Sequence, residues 1–131
     1  VTRRYAILDD NDAVLEERLA GLHSDLPPLV ADRVCAIVVI GSVAEGRARD
    51  GSDIDLVLVL CEGTPRRGDY DWWDREVAPR VDRGGKFRLQ PVFVGKTALA
   101  TTEPHLSRAL KHGLVLWDPQ ALVDDQHETR A

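Results

Sequence analysis

Residues 40–60 read IGSVAEGRARDGSDIDLVLVL, and this stretch decides how the rest of the chain is read. Asp53 and Asp55 stand at i and i+2 at the head of an apolar run, so on a strand both side chains project from one face. Two carboxylates held that close repel unless a cation sits between them. Oxygen donors in this arrangement suit a hard divalent ion, Mg²⁺ above all. Gly41-Ser42 closes the preceding apolar run, where a strand passes into a helix start whose backbone N–H groups can hold phosphate. Carboxylates able to hold a metal beside a phosphate cradle point to phosphoryl or nucleotidyl transfer. Either element alone is common at ordinary strand ends and turns. Their succession (apolar run, Gly-Ser, polar loop, Ser-Asp-x-Asp, apolar run) is what carries the specificity.

The segment from Gly41 to Leu60 resembles the signature of the minimal nucleotidyltransferase domains of the DNA polymerase beta superfamily: Gly-Ser, ten residues, then Asp-x-Asp. The ten intervening residues here run from Val43 to Ser52. The resemblance extends from about Ala31 to about Pro119 and is most specific over residues 40–60. Leu110 to Trp117 also resembles the helix and short strand that often close such domains. The resemblance implies an α/β (α+β) fold, a small mixed β-sheet flanked by helices.

For function the resemblance implies Mg²⁺-dependent transfer of NMP from an NTP to an acceptor hydroxyl. Asp53 and Asp55 match the catalytic, metal-binding carboxylates, and Gly41 and Ser42 match the phosphate-binding turn. Arg47 and Arg49 lie between them, either clamping phosphates or standing as solvated loop charges. The family's third carboxylate belongs on the strand after Asp-x-Asp. Here that strand is Lys86 to Val94, which holds no acid, and Gln90 or Arg88 falls at about the right place. Asp82, and Asp69, Asp71 and Asp74 on the preceding helix, are the other acids nearby. The alternative function is therefore a catalytically weak or inactive nucleotide-binding or antitoxin module. A chain of this size has little room for a helical acceptor domain, so the resemblance implies a helical partner protein or a homodimer.

Composition sets the outer bounds. The 131 residues predict a single domain, and 44% apolar residues can fill its core. A net charge of −5 gives no general footprint for nucleic acid, leaving a local basic patch as the only route to one. No apolar run reaches membrane-span length. Cys35 and Cys61 have neither metal spacing nor the pattern of a secreted framework, which predicts reduced thiols in a cytoplasmic protein. Val1 and the absence of methionine predict that the natural start lies elsewhere.

Periodicity predicts the elements around the motif. Val14, Leu15, Leu19 and Leu22 share a helical stripe, capped by Asn11 or Asp12 and ended by Pro27-Pro28. Val34 to Ile40 reads as a strand buried on both faces. Ser42 to Ala48 reads as a short helix or turn, Asp50-Gly51 as a turn, and Asp53 to Leu60 as a strand. Glu62 to Asp69 reads as loop, Tyr70 to Val81 as a helix with Pro79 straining its last turn, and Gly84-Gly85 as its breaker. Phe87 to Val94 reads as a strand that Pro91 places at an edge or bulge. Pro104 to His112 reads as a helix with Gly113 as its C′ residue, then Leu114 to Trp117 as a strand. A polar tail is predicted to fray from about residue 119. Of the adjacent Trp72 and Trp73, only one can face the core. His105 and His112 have no ligand spacing.

Overall fold

The computed structural model describes residues 13–48, 52–82, 87–100 and 104–123. The N-cap candidates Asn11 and Asp12, Arg49, the Asp50-Gly51 turn and the Gly84-Gly85 breaker lie outside them. Four strands form one mixed sheet in the order β3-β2-β1-β4. The sheet is built around β1 (Val34–Ile40), an unbroken apolar run whose first six residues are buried. β2 (Ile54–Leu60) lies antiparallel to β1, with Ile40 opposite Asp55. β3 (Leu89–Gly95) runs parallel to β2, and β4 (Leu114–Trp117) antiparallel to β1. This is the small mixed sheet with flanking helices that the sequence implies.

One sheet face is sealed. Ile37, Val39, Ile54, Leu56, Leu58, Leu114 and Leu116 pack there against α1 (Ala13–Val30) and a helical run over residues 67–81. α1 buries Leu15, Leu19, Leu22 and Leu26, while Val14, expected on that stripe, is 58% exposed. The helix also continues through Pro27 and Pro28 instead of stopping at them. The prolines withhold N–H groups from the carbonyls of His23 and Ser24. Both of those residues are exposed, so water can serve the carbonyls, while Leu26, Pro27 and Val30 are buried and hold the last turn down.

The helical run comprises α3 (Arg67–Trp72), a π-helical turn (Trp73–Val77) and α4 (Ala78–Val81). It starts earlier than the sequence suggests because Asp69 Oδ2 accepts the Arg66 N–H at 2.9 Å, while Asp69 Oδ1 pairs with Arg33 at 3.1 Å. The π turn explains how the run passes Pro79. Proline cannot donate to the carbonyl of Arg75 and its ring crowds it. The Ala78 N–H reaches back to the Trp73 carbonyl instead, widening the turn. Trp73, Val77 and Val81 are all buried. Trp72 stays half-buried under the Arg33 guanidinium, 4.2 Å from its ring centre.

β3 is the edge strand that Pro91 foretells. It begins at Leu89; Phe87, expected within it, is buried in the left-handed region at φ 61° and lies before it. Its first three outward positions have their donors occupied or absent. The Leu89 N–H goes to Asp82 Oδ2 at 3.3 Å, residue 91 has none, and the Phe93 N–H goes to the Tyr70 hydroxyl at 3.1 Å. An edge finished this way resists pairing with another strand.

The opposite face is covered over part of its width. Ala36, Val38, Val57, Val59 and Val115 lie under Leu99, Leu110 and Val123. Leu110 comes from α5 (Pro104–Lys111). Gly113 follows it without a left-handed φ, so it is not the expected C′ cap. A Cβ there would stand 2.6 Å from Val38 Cγ1, so glycine is needed for close packing on β1. The tail does not fray at residue 119. Asp118 accepts the N–H groups of Leu122 and Val123 at 2.9 and 2.8 Å, and Val123 is fully buried. Cys35 and Cys61 form a disulfide between β1 and the end of β2, which corrects the expectation of two reduced thiols. Antiparallel pairing brings their Cα atoms to 5.2 Å, and the support that free thiols gave to a cytoplasmic location goes with them.

Candidate functional site

The site lies on the partly covered face, at the end of the sheet where β1 stops and β2 begins. Asp53 precedes β2 and Asp55 is its second residue. Their parity is that of Val57 and Val59, so both belong to the face that carries the smaller cluster. Asp53 is exposed and Asp55 half-buried. Burial raises the Asp55 carboxyl above its ordinary value, and the neighbouring Asp53 charge raises it further. The pair therefore carries more negative charge than its surroundings neutralise.

Across the sheet, β1 delivers Gly41 directly against Asp55. Gly41 has φ +76°, a left-handed conformation that favours glycine. A Cβ at this position would stand 2.7 Å from Asp55 Oδ2. Gly41 thus meets two demands at once, the turn and the close approach. Ser42 follows, half-buried, in α2 (Gly41–Ala44). The opening N–H groups of a helix have no partner within it, so those of this short turn can donate outward. Arg47 lies just beyond, exposed and paired with Glu45 at 3.1 Å. An exposed pair of this kind is worth little, so the guanidinium is free to exchange partners. Arg49, the other expected phosphate clamp, is outside the described residues.

β3 flanks Asp55 on the other side. In the parallel register Asp55 lies beside Gln90. Arg88 comes before the strand, where its carbonyl accepts the Ile54 N–H at 2.8 Å. The other acids are spent elsewhere or stand apart. Asp69 serves Arg33 and the start of α3. Asp82 holds Leu89 and Arg18, the latter at 3.4 Å. Asp74 lines a groove with Asp53 and Gln90. Among the described residues, no three His, Cys, Asp or Glu side chains converge to hold a metal. Two carboxylates still fit one hard cation, because Mg²⁺ is commonly held by one or two carboxylates with substrate phosphates and water completing its shell.

The sequence model of the nucleotidyltransferase domain matches residues 16–110, from the first turn of α1 to near the end of α5. The chain belongs to the nucleotidyltransferase domain family. No curated protein sequence matches it. Solved structures share the fold at low identity. A chain of a toxin–antitoxin complex crystallised with AMP-PNP superposes with a TM-score of 0.56 at 17% identity, covering 82% of each chain. A mutant of the toxin–antitoxin pair MntA–HpeT does so at 0.56 and 15%, again over 82% of each. Among the described residues no helix is long and apolar enough to cross a membrane.

The sequence motif located both aspartates, the glycine and the serine that this nucleotidyltransferase domain brings together. Asp74 was visible only as one of several acids on a helix. No local signal separates it from Asp71, since the groove joins residues far apart in sequence.

Proposed function

We propose that this chain is a Mg²⁺-dependent nucleotidyltransferase that moves NMP from an NTP to an acceptor hydroxyl presented by a protein partner. The observation that carries the reading is Gly41, whose missing side chain lets the phosphate-binding turn lie directly against Asp55. Asp53 and Asp55 would hold the ion. When bound, Mg²⁺ would neutralise the triphosphate and polarise the reacting phosphate. The Gly41 and Ser42 backbone, the Ser42 hydroxyl and Arg47 would hold the phosphates in line. The partner would be a helical protein or a second copy of the chain; among the described residues, cover on this face comes from Leu99, α5 and Val123 and leaves the β3 side open. The structural neighbours, named as toxin–antitoxin complexes, support a nucleotide and a protein partner for this chain too.

One observation favours a second reading, a nucleotide-binding antitoxin module with little turnover: Asp55 has an amide, Gln90, beside it on β3, the strand on which the resemblance expects an acid. An amide binds the ion weakly and cannot take a proton from the acceptor. Calorimetry with a non-hydrolysable NTP tests the shared core of both readings. Binding should require Mg²⁺ and disappear in Asp53→Asn/Asp55→Asn. Equal binding by wild type and the double variant overturns a metal-bridged site. Transfer of α-labelled phosphate then separates enzyme from binding module.

A further inference from the structure

We propose that the bridge between Cys35 and Cys61 is a thiol-exchange site: a dithiol reductant attacks the Cys61 sulfur, Cys35 leaves as a thiolate beside Gln120, and the reduced chain stays folded with less stability. The chemistry does not depend on what Asp53 and Asp55 bind. β1 and β2 are successive antiparallel strands, with Ile40 opposite Asp55 at one end and Val34 opposite Leu60 at the other. Cys35 is the second residue of β1, and Cys61 directly follows β2. The bridge thus closes the end remote from the aspartates, and the loop it closes carries Gly41, Ser42, Arg47, Asp53 and Asp55. Val34 pairs with Leu60 and Ala36 with Val59, which leaves Cys35 as the extra residue of a bulge. A bulge re-aims the side chain it carries, here onto Cys61. Beyond it the Cys61 N–H donates to the Arg33 carbonyl at 3.0 Å. That backbone bond does not involve the sulfurs, so the two thiols stay placed for reclosure after reduction.

The two sulfurs are not equivalent. Cys35 is only 4% exposed. Cys61 is half-buried and opens onto Glu62 to Gly68, which are all exposed. Exchange starts with a thiolate reaching one sulfur, so access selects Cys61 for attack. Cys35 is then the leaving group, and a leaving sulfur departs faster the better its charge is held. The Gln120 side-chain N–H donates to Cys35 Sγ at 3.7 Å. Asp118 fixes the turn that carries Gln120 by accepting the N–H groups of Leu122 and Val123. A donor on the leaving side and an opening on the attacking side give the exchange one direction.

The step balances. The reductant thiolate bonds to Cys61 Sγ as the bond to Cys35 Sγ breaks, and Cys35 takes the electron pair. The reductant's second thiol then loses its proton and bonds to its own partner sulfur, which releases the Cys61 thiolate. Two protons end on the two cysteines, and the dithiol leaves as a disulfide. Reduction returns loop-closure entropy to the unfolded chain. The pairs from Ala36 and Val59 to Ile40 and Asp55 need no bridge, so the end that carries the aspartates keeps its backbone pairing.

The test exposes the full native chain to glutathione, quenches with acid at early times and maps the mixed disulfide by peptide mass. Glutathione should sit on Cys61 at least about tenfold more often than on Cys35, because access sets the choice of sulfur. Gln120→Leu should slow reduction by dithiothreitol about threefold, through loss of the donor to the leaving thiolate. The dithiothreitol-reduced chain should keep its far-ultraviolet circular dichroism at room temperature and melt about 10 °C lower. Cys35→Ser/Cys61→Ser should melt with the reduced chain and ignore the reductant. Glutathione on Cys35, on both cysteines alike or on neither overturns the direction of attack. An unchanged rate in Gln120→Leu overturns the role of Gln120. A native chain that dithiothreitol reduces only after unfolding overturns the exchange site itself. Lost dichroism, or equal melting of the oxidised and reduced chains, overturns the effect on stability.

Discussion

The two faces of the sheet are finished differently. The face under α1 and the 67–81 run is a continuous apolar layer that, among the described residues, contains every large fully buried side chain except Leu110. The other face has a smaller cluster under α5 and the folded-back residues 118–123. Beside β3 it stays open, with Val92 41% exposed two positions from Gln90. Charge belongs on the open face because Asp53 and Asp55 need a cation and water, and a sealed layer would admit neither. The division of labour is that one face supplies stability and the other holds groups that cost stability.

The sharpest test of this contrast is Trp73→Ala. It removes the largest fully buried side chain from the sealed face and should cost about 3–5 kcal/mol, read by denaturant unfolding. A small loss would show that the layer is looser than its burial indicates. Gly41→Ala is next. The left-handed backbone alone costs a residue with a Cβ about 1–2 kcal/mol, and the new methyl would push the Asp55 carboxylate away. Melting temperature should fall, and Mg²⁺-dependent nucleotide binding should fall further than stability explains.

Asp55→Asn should act in the opposite direction. A carboxyl that titrates above its ordinary value of 3.8 is less tolerated as an ion in the folded chain than in the unfolded one. That penalty is full above the raised value, fades as pH drops through it, and is gone below the ordinary one. Without Mg²⁺, Asp55→Asn should therefore melt above wild type at neutral pH, and the gap should close as pH falls toward 3.8. Thermal melts across pH check it; a constant gap would point to lost packing or hydrogen bonding instead. The smallest effect is expected at Val92→Ser, within about 0.5 kcal/mol because the side chain is already exposed. A large loss there in equilibrium unfolding would mean the open face is not open.

Much of this was legible locally. β1 and β2 could be read from unbroken apolar runs, and the site from Gly-Ser and Asp-x-Asp. The failures share a cause. Pro27 and Pro28 were read as ending their helix and Pro79 as straining the last turn of its own, yet burial of Val30, Val77 and Val81 holds the helices across them. Gly113 was read as a cap, although it is the approach of β1 that requires it. The polar tail was read as frayed, yet Val123 fills a gap in the smaller cluster. In each case a tertiary contact outweighed a local preference.

The sequence by itself determined the motif, the alternation that puts both aspartates on one face, and the confinement of β3 to an edge or a bulge. Those features depend on spacing and on the chemistry of single residues. Only the tertiary structure decided that Gln90 lies beside Asp55, that Cys35 meets Cys61, and that Asp74 shares a groove with Asp53. Parallel register, antiparallel pairing and groove walls join residues distant in sequence, and no local pattern encodes which of them meet.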